Sequence, residues 1–127
     1  MTSQPTPAGN EPAQLDPQAI ARLRELDPDG RHGVLGRVLQ TYDSSLQRLM
    51  AQAADAAARG DAAAAGNAAH TLKSSSSSVG ALELARLCAE LERAVRAGDT
   101  QHLAVQVENL LSEGRRVLDA VRAMLRT

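Results

Sequence analysis

Residues 33–59 read GVLGRVLQTYDSSLQRLMAQAADAAAR, and this stretch decides the fold class. Its apolar residues recur at intervals of three and four, which is the period of an α-helix with one buried face. They are Val34, Val38, Leu39, Tyr42, Leu46, Leu49, Met50 and Ala53. The pattern predicts the longest helix of the chain between Gly33 and Arg59.

A shorter helix is predicted before this stretch. Asp16 supplies a capping carboxylate, and Pro17 suits the first position of a helix because proline lacks the N–H that would be unpaired there. We expect this helix to end near Asp27 and Pro28. Residues 1–14 are rich in Pro, Ala, Gly, Gln and Thr without periodicity, which predicts a flexible tail or linker ahead of a domain at residues 15–127.

After residue 59, two turn signals separate further apolar stripes. Gly60–Asp61 and Gly98–Asp99 each join a residue that tolerates positive φ to a capping carboxylate, so both predict tight turns between antiparallel helices. Two later stripes contain Leu84, Leu87, Cys88, Leu91 and Val95, and then Leu103, Val107, Leu110, Leu111, Val117, Leu118, Val121 and Leu125. The sequence therefore predicts an all-α fold, an up-down-up-down four-helix bundle with a short additional N-terminal helix.

Composition excludes several classes of function. The chain has 127 residues and a formal net charge of -1, which gives no electrostatic reason for binding nucleic acid or a membrane surface. It has no apolar run long enough to cross a bilayer and no signal peptide, so we expect a soluble cytoplasmic protein. Cys88 is its only cysteine, and we interpret it as a small buried hydrophobe without a redox role.

Residues 68–81 read AAHTLKSSSSSVGA, and bundle packing does not explain them. At about 100° per residue, one side of this helix forms an inward seam, and His70 points almost opposite to it, toward solvent. The predicted seam consists of Ala65, Ala68, Leu72, Ser75 and Val79. Composition alone would make Ser74 to Ser78 a linker, but Leu72 and Val79 keep helical phase across them, which favours a helix.

The predicted neighbours of His70 are small and polar. They are Gly66 and Asn67 one turn before it, and Lys73, Ser74 and Ser77 one and two turns after it. An exposed neutral imidazole offers a ring-nitrogen lone pair, and Lys73 can approach the oxygens of an attached phosphoryl group. Small residues at 66 and 74 leave clearance for in-line displacement.

The run His70-Thr71-Leu72-Lys73, followed by serines and Gly80-Ala81, resembles the signature of the histidine-containing phosphotransfer (HPt) domain. The resemblance extends in pattern from about residue 15 to residue 125, and residues 87–92 look like the family's next helix. It implies that His70 accepts a phosphoryl group from the aspartate of one receiver domain and passes it to another, while Lys73 stabilises the group. It further suggests a contribution from Arg96 on the neighbouring helix. Ser74 departs from the glycine most often found there.

The resemblance also implies the partners: receiver domains of response regulators, a hybrid sensor histidine kinase, or both. The chain has no ATP-binding glycine loop and no acidic cluster for magnesium, so we expect a phosphoryl carrier without autokinase activity. Magnesium is expected in the receiver partner only, and no cofactor or metal in this chain. One bundle can close its own core, so a monomer is expected.

Other interpretations stay open at this point. The bundle could bind receiver domains without transferring phosphate, or it could be a helical enzyme with a site in its interior. Glu92 and Arg96 lie four residues apart and could simply be a helix-stabilising pair. His32 and His102 belong to no comparable arrangement and are interpreted as surface residues.

Overall fold

The structure is a computed structural model that describes residues 13–126. Most of the predicted tail, residues 1–12, lies outside the described residues, as does Thr127. The described part contains α1 (Pro17–Glu25), α2 (Val34–Arg59), α3 (Ala62–Ser78), α4 (Leu82–Arg96) and α5 (Leu103–Leu125). None of these helices is long and apolar enough to span a membrane.

The four long helices form the predicted up-down-up-down bundle. Helix α2 packs against α3 and α5, and α4 packs against α3 and α5, while α1 contacts α2. The core is aliphatic, and its largest fully buried side chains include Leu39, Leu46, Leu72, Leu84, Leu91, Leu110, Val107, Val117 and Val121. The all-α class and the short first helix are confirmed.

The predicted helix starts follow from local capping. The Asp16 carboxylate accepts a hydrogen bond from the N–H of Gln18 at 3.3 Å, and Pro17 is the first residue of α1. The Asp61 carboxylate accepts one from the N–H of Ala64 at 3.0 Å. Gly60 has a φ of 68° and closes α2, so the α2–α3 turn has the predicted form.

The second Gly-Asp turn differs from the prediction. Gly98 has a φ of 74° after the end of α4, but α5 begins only at Leu103, with His102 at its N-cap. Asp99 therefore caps no helix; its N–H donates to the carbonyl of Ala94 at 2.9 Å and completes the end of α4. The prediction of a capping carboxylate at Asp99 is wrong, because three residues separate it from the next helix.

The segment before α1 is tied to the bundle. Ala13, which the sequence placed in the tail, is buried, and its N–H donates to the carbonyl of Arg116 at 3.1 Å. The N–H of Asp16 donates to the carbonyl of Gly80 at 2.9 Å. A Cβ at Gly80 would lie 2.6 Å from the backbone nitrogen of Asp16, so this approach requires glycine.

The serine run is helical, but its inward-facing member is Ser76 rather than the predicted Ser75. Ser76 is fully buried, and its hydroxyl lies 2.7 Å from that of Tyr42 on α2. Ser75 is only half-buried, and its hydroxyl donates to the carbonyl of Leu72. Burial raises the pKa of Tyr42, which keeps this pair neutral. The prediction for Ser75 is wrong because the buried face of α3 passes through Ala69, Leu72 and Ser76, at intervals of three and four residues.

Candidate functional site

His70 lies in the middle of α3, and its side chain is 63% exposed. The ring therefore faces solvent, as its helical position predicts. Its Nδ1 atom lies 2.5 Å from Oε2 of Glu92 on α4. This contact joins residues 22 positions apart and requires the close packing of α3 against α4.

Glu92 is the common hydrogen-bond partner of the polar side chains at the site. Its side chain is 7% exposed, and it accepts a hydrogen bond from Nζ of Lys73 at Oε1, with a distance of 2.6 Å. A guanidinium nitrogen of Arg96 donates to Oε2 at 2.7 Å. The bond from Lys73 lowers the pKa of Glu92 to about 2, with help from His70 and Arg96 and against the opposing effect of burial. The carboxylate is therefore ionised at neutral pH.

The protonation of the histidine ring follows from this contact. An ionised carboxylate has no proton to donate, so Nδ1 must carry the hydrogen of the Nδ1–Oε2 bond. In a neutral imidazole the other nitrogen is then unprotonated. In that neutral form, the geometry leaves the Nε2 lone pair of His70 free on an exposed ring.

A small cavity of about 280 Å³ lies beside the ring, between α3 and α4. It brings together three of the predicted accessory residues with His70, namely Gly66, Asn67 and Arg96. Gly66 is buried, and a Cβ there would lie 3.1 Å from Val95. Its small size therefore allows the close approach of α4.

Ser74 and Ser77 are exposed, but neither hydroxyl hydrogen-bonds to the ring. The Ser77 hydroxyl donates to the carbonyl of Lys73 at 3.2 Å, one turn back in the same helix. Within residues 13–126 the Ser74 side chain makes no hydrogen bond, although its own carbonyl accepts one from the Ser78 hydroxyl. Within the described residues, the hydroxyl at position 74 therefore does not hydrogen-bond to the imidazole.

Glu92 is the site residue that sequence reasoning missed. The sequence suggested Glu92 only as a helix partner of Arg96, and that ion pair exists, but the same carboxylate also binds Lys73 and His70. One signal was present: a glutamate adjoining Leu91 in the apolar stripe of α4. The Lys73 side chain is 37% exposed, and its ammonium is paired with this buried acid.

The other two histidines do not belong to this site, and Cys88 lies in the core next to it. His32 is exposed in the turn before α2, and His102 is exposed at the N-cap of α5. Cys88 is fully buried, and burial raises the pKa of its thiol to about 12. Within the part of the chain that the structure describes, no three His, Cys, Asp or Glu side chains are grouped so that they could hold a metal ion.

Comparison with known proteins identifies the family. The sequence model of the Hpt domain matches residues 37–126, which include all of α3 and α4. The chain belongs to the Hpt domain family. It is also similar to a solved structure, histidine-containing phosphotransfer protein B from Pseudomonas aeruginosa PAO1, at 28% sequence identity and a TM-score of 0.78. That match covers 88% of this chain and 94% of the other.

None of the curated proteins compared with this chain matches it. The family match and the structural similarity together make the chain a histidine phosphotransfer protein, which carries phosphoryl groups in phosphorelays. Domains of this family interact with receiver domains.

Proposed function

We propose that His70 is the phosphoacceptor, which takes a phosphoryl group from an aspartyl phosphate of one receiver domain and returns it to the aspartate of another. The observation that carries this assignment is the contact between Nδ1 and the ionised Glu92, on a ring that is 63% exposed. It presents Nε2 as a free nucleophile to a docked partner. Among the described ion pairs and hydrogen bonds, neither the His32 ring nor the His102 ring has a carboxylate partner; only the backbone N–H of His32 donates to a carboxylate, that of Asp27.

The transfer is a displacement at phosphorus. The Nε2 lone pair forms the new N–P bond, while the bond between phosphorus and the aspartate oxygen breaks and its electron pair remains on the departing carboxylate. The chain contributes mainly position, because Glu92 holds the ring in place at the middle of α3. Magnesium is expected in the receiver, where it would stabilise the same phosphoryl group.

Lys73 is the proposed counter-charge for the phosphoryl group. It lies one turn after His70 on the same helix, and its ammonium is held 2.6 Å from Glu92. An exposed ion pair contributes only about 0.2 to 1 kcal/mol in water, so the effect of Lys73 should grow when a docked receiver excludes solvent. Arg96, whose side chain is 70% exposed, is the second cation at the edge of the site.

The other predicted residues have supporting roles in this proposal. Gly66 and Asn67 border the cavity beside the ring, and the small side chains of Ser74 and Ser77 leave the approach to His70 open. We infer a cytoplasmic, monomeric carrier without autokinase activity or a cofactor of its own. Its partners would be response regulators, a hybrid sensor kinase, or both.

The test is phosphoryl transfer from a phosphorylated receiver domain to the full chain. The wild type, His32→Gln and His102→Gln should all gain acid-labile, base-stable phosphate, whereas His70→Gln should gain none. Equal labelling of wild type and His70→Gln would refute the assignment. Stable binding of receivers with no labelling of any variant would instead favour a docking module that does not transfer phosphate.

A further inference from the structure

We propose that Glu92 keeps the Nδ1 proton on His70 while the ring is phosphorylated, so that neutral imidazole departs when the phosphoryl group moves on. This inference rests on the proposed role of His70. Glu92 is then a positioning residue with two tasks. It orients the free ring, and it retains the Nδ1 proton after the ring is phosphorylated. Nδ1 of His70 and Oε2 of Glu92 lie 2.5 Å apart, close enough for the carboxylate to hold this proton.

The proton matters because of the leaving group. Phosphorylation of the Nδ1–H ring at Nε2 gives a positively charged ring that still carries its Nδ1 proton. If that proton stays, the P–N bond breaks with its electron pair returning to Nε2, and the product is neutral imidazole. If it is lost first, the same step must expel an imidazolate anion, which is a much poorer leaving group. A carboxylate oxygen of the receiver aspartate forms the new P–O bond in either case.

Glu92 suits this task because a carboxylate can only accept. Its oxygens offer lone pairs alone, so a ring that had lost the Nδ1 proton would face an anion at 2.5 Å with no hydrogen between the two atoms. The side chain is 7% exposed, which limits screening by water. A glutamine amide in the same place could accept from a protonated Nδ1 through its oxygen or donate to an unprotonated Nδ1 through its NH₂ group. It would therefore tolerate the ring with or without the Nδ1 proton.

The charges around Glu92 come from α3 and α4. Lys73 of α3 and Arg96 of α4 are both bonded to the carboxylate, and they keep it ionised. Cys88, one turn before Glu92 in α4, stays a neutral thiol at the pH of the cell because burial raises its pKa to about 12. Lys73 and Arg96 thus both form ion pairs with the same carboxylate that accepts the Nδ1 proton of the ring.

The experiment uses the pH dependence of discharge. Full-length protein phosphorylated on His70 is mixed with an unphosphorylated receiver domain between about pH 6 and pH 9, and the rate of transfer is expressed relative to wild type at each pH. The variant is Glu92→Gln, which removes the charge at constant shape. The matched control is Glu83→Gln, which removes a charge of the same helix from an ion pair with Arg86.

The Glu83→Gln ratio should stay constant with pH. The Glu92→Gln ratio should fall as pH rises, toward about tenfold per pH unit, because the protonated fraction of a single group falls tenfold per unit above its midpoint. A Glu92→Gln ratio that is lowered equally at every pH would overturn the proposal, since a purely structural role predicts that result. Absence of phosphate on His70 in the wild type would instead refute the function proposed above.

A second measurement does not depend on the receiver. In protein with ¹⁵N-labelled histidine rings, an NMR titration reports when Nδ1 of the phosphorylated ring loses its proton. The midpoint should lie about one pH unit or more higher in wild type than in Glu92→Gln, because a nearby opposite charge favours the protonated form. Equal midpoints would contradict the role of Glu92.

Discussion

Two glutamates of this bundle are equally buried, but their surroundings differ. The side chains of Glu92 and Glu113 are 7% and 8% exposed. Glu113 pairs with Arg116 three residues later in α5, at 2.5 Å. Glu92 has partners from two helices, and one of them is an exposed imidazole. A buried charge can therefore belong to a simple ion pair within one helix. A site is indicated instead by side chains from two helices that meet at an exposed imidazole.

The largest expected difference between these glutamates concerns transfer. Glu92→Ala should slow phosphorylation of His70 by a receiver by about tenfold or more, because the ring loses the acceptor that sets its tautomer. Glu113→Ala should leave that rate within about twofold, provided the protein is folded. Rapid-quench labelling with a phosphorylated receiver measures both rates. Equal slowing by the two changes would show that the contact between Glu92 and the His70 ring has no specific role in transfer.

A smaller effect is expected at Lys73. Lys73→Ala should slow transfer by about fivefold and shorten the lifetime of the phosphohistidine, because the ammonium balances the charge of the phosphoryl group. The free energy of unfolding should change by only about 1 kcal/mol, because Lys73 is partly exposed and Glu92 keeps His70 and Arg96 as partners after its loss. Urea denaturation measures the free energy of unfolding. Scintillation counting of the labelled protein measures the lifetime of the phosphohistidine. A large loss of stability with unchanged transfer would assign Lys73 to the fold instead.

The smallest expected effect is on stability in acid. The pKa of Glu92 is lowered to about 2 in the folded protein, below its ordinary value near 4.3 in an unfolded chain. Its ionised form therefore contributes stability above about pH 4.3, and this contribution is lost as the pH falls toward 2. Thermal unfolding at pH 6 and pH 2.5 should show a larger fall in Tm for wild type than for Glu92→Gln. Identical falls would mean that the charge of Glu92 does not support the fold.

The helices could be predicted because their determinants are local. Asp16 and Asp61 cap within three residues of their own positions, and the apolar stripe of α2 repeats inside one segment. The exposure of His70 follows from the same helical period. Asp99 shows the limit of this reasoning, because the Gly-Asp pair does not reveal that the next helix begins several residues later.

The errors of detail arose where the sequence carries no local distinction. Five consecutive serines have identical side chains, so only the packing of α3 decides that Ser76 meets Tyr42 while Ser75 stays half-buried. Glu92 was missed for a related reason. Its contacts with Lys73 and His70 span 19 and 22 residues, and they depend on how two helices are aligned.

The most direct test asks which nitrogen of which histidine carries the phosphate. The full chain, with ¹⁵N-labelled histidine rings, is phosphorylated with phosphoramidate and examined by ¹⁵N and ³¹P NMR. The hydrogen bond to Glu92 predicts phosphorus on Nε2 of His70, with the proton still on Nδ1. Phosphorus on Nδ1 of His70, or on His32 or His102 in place of His70, would contradict it.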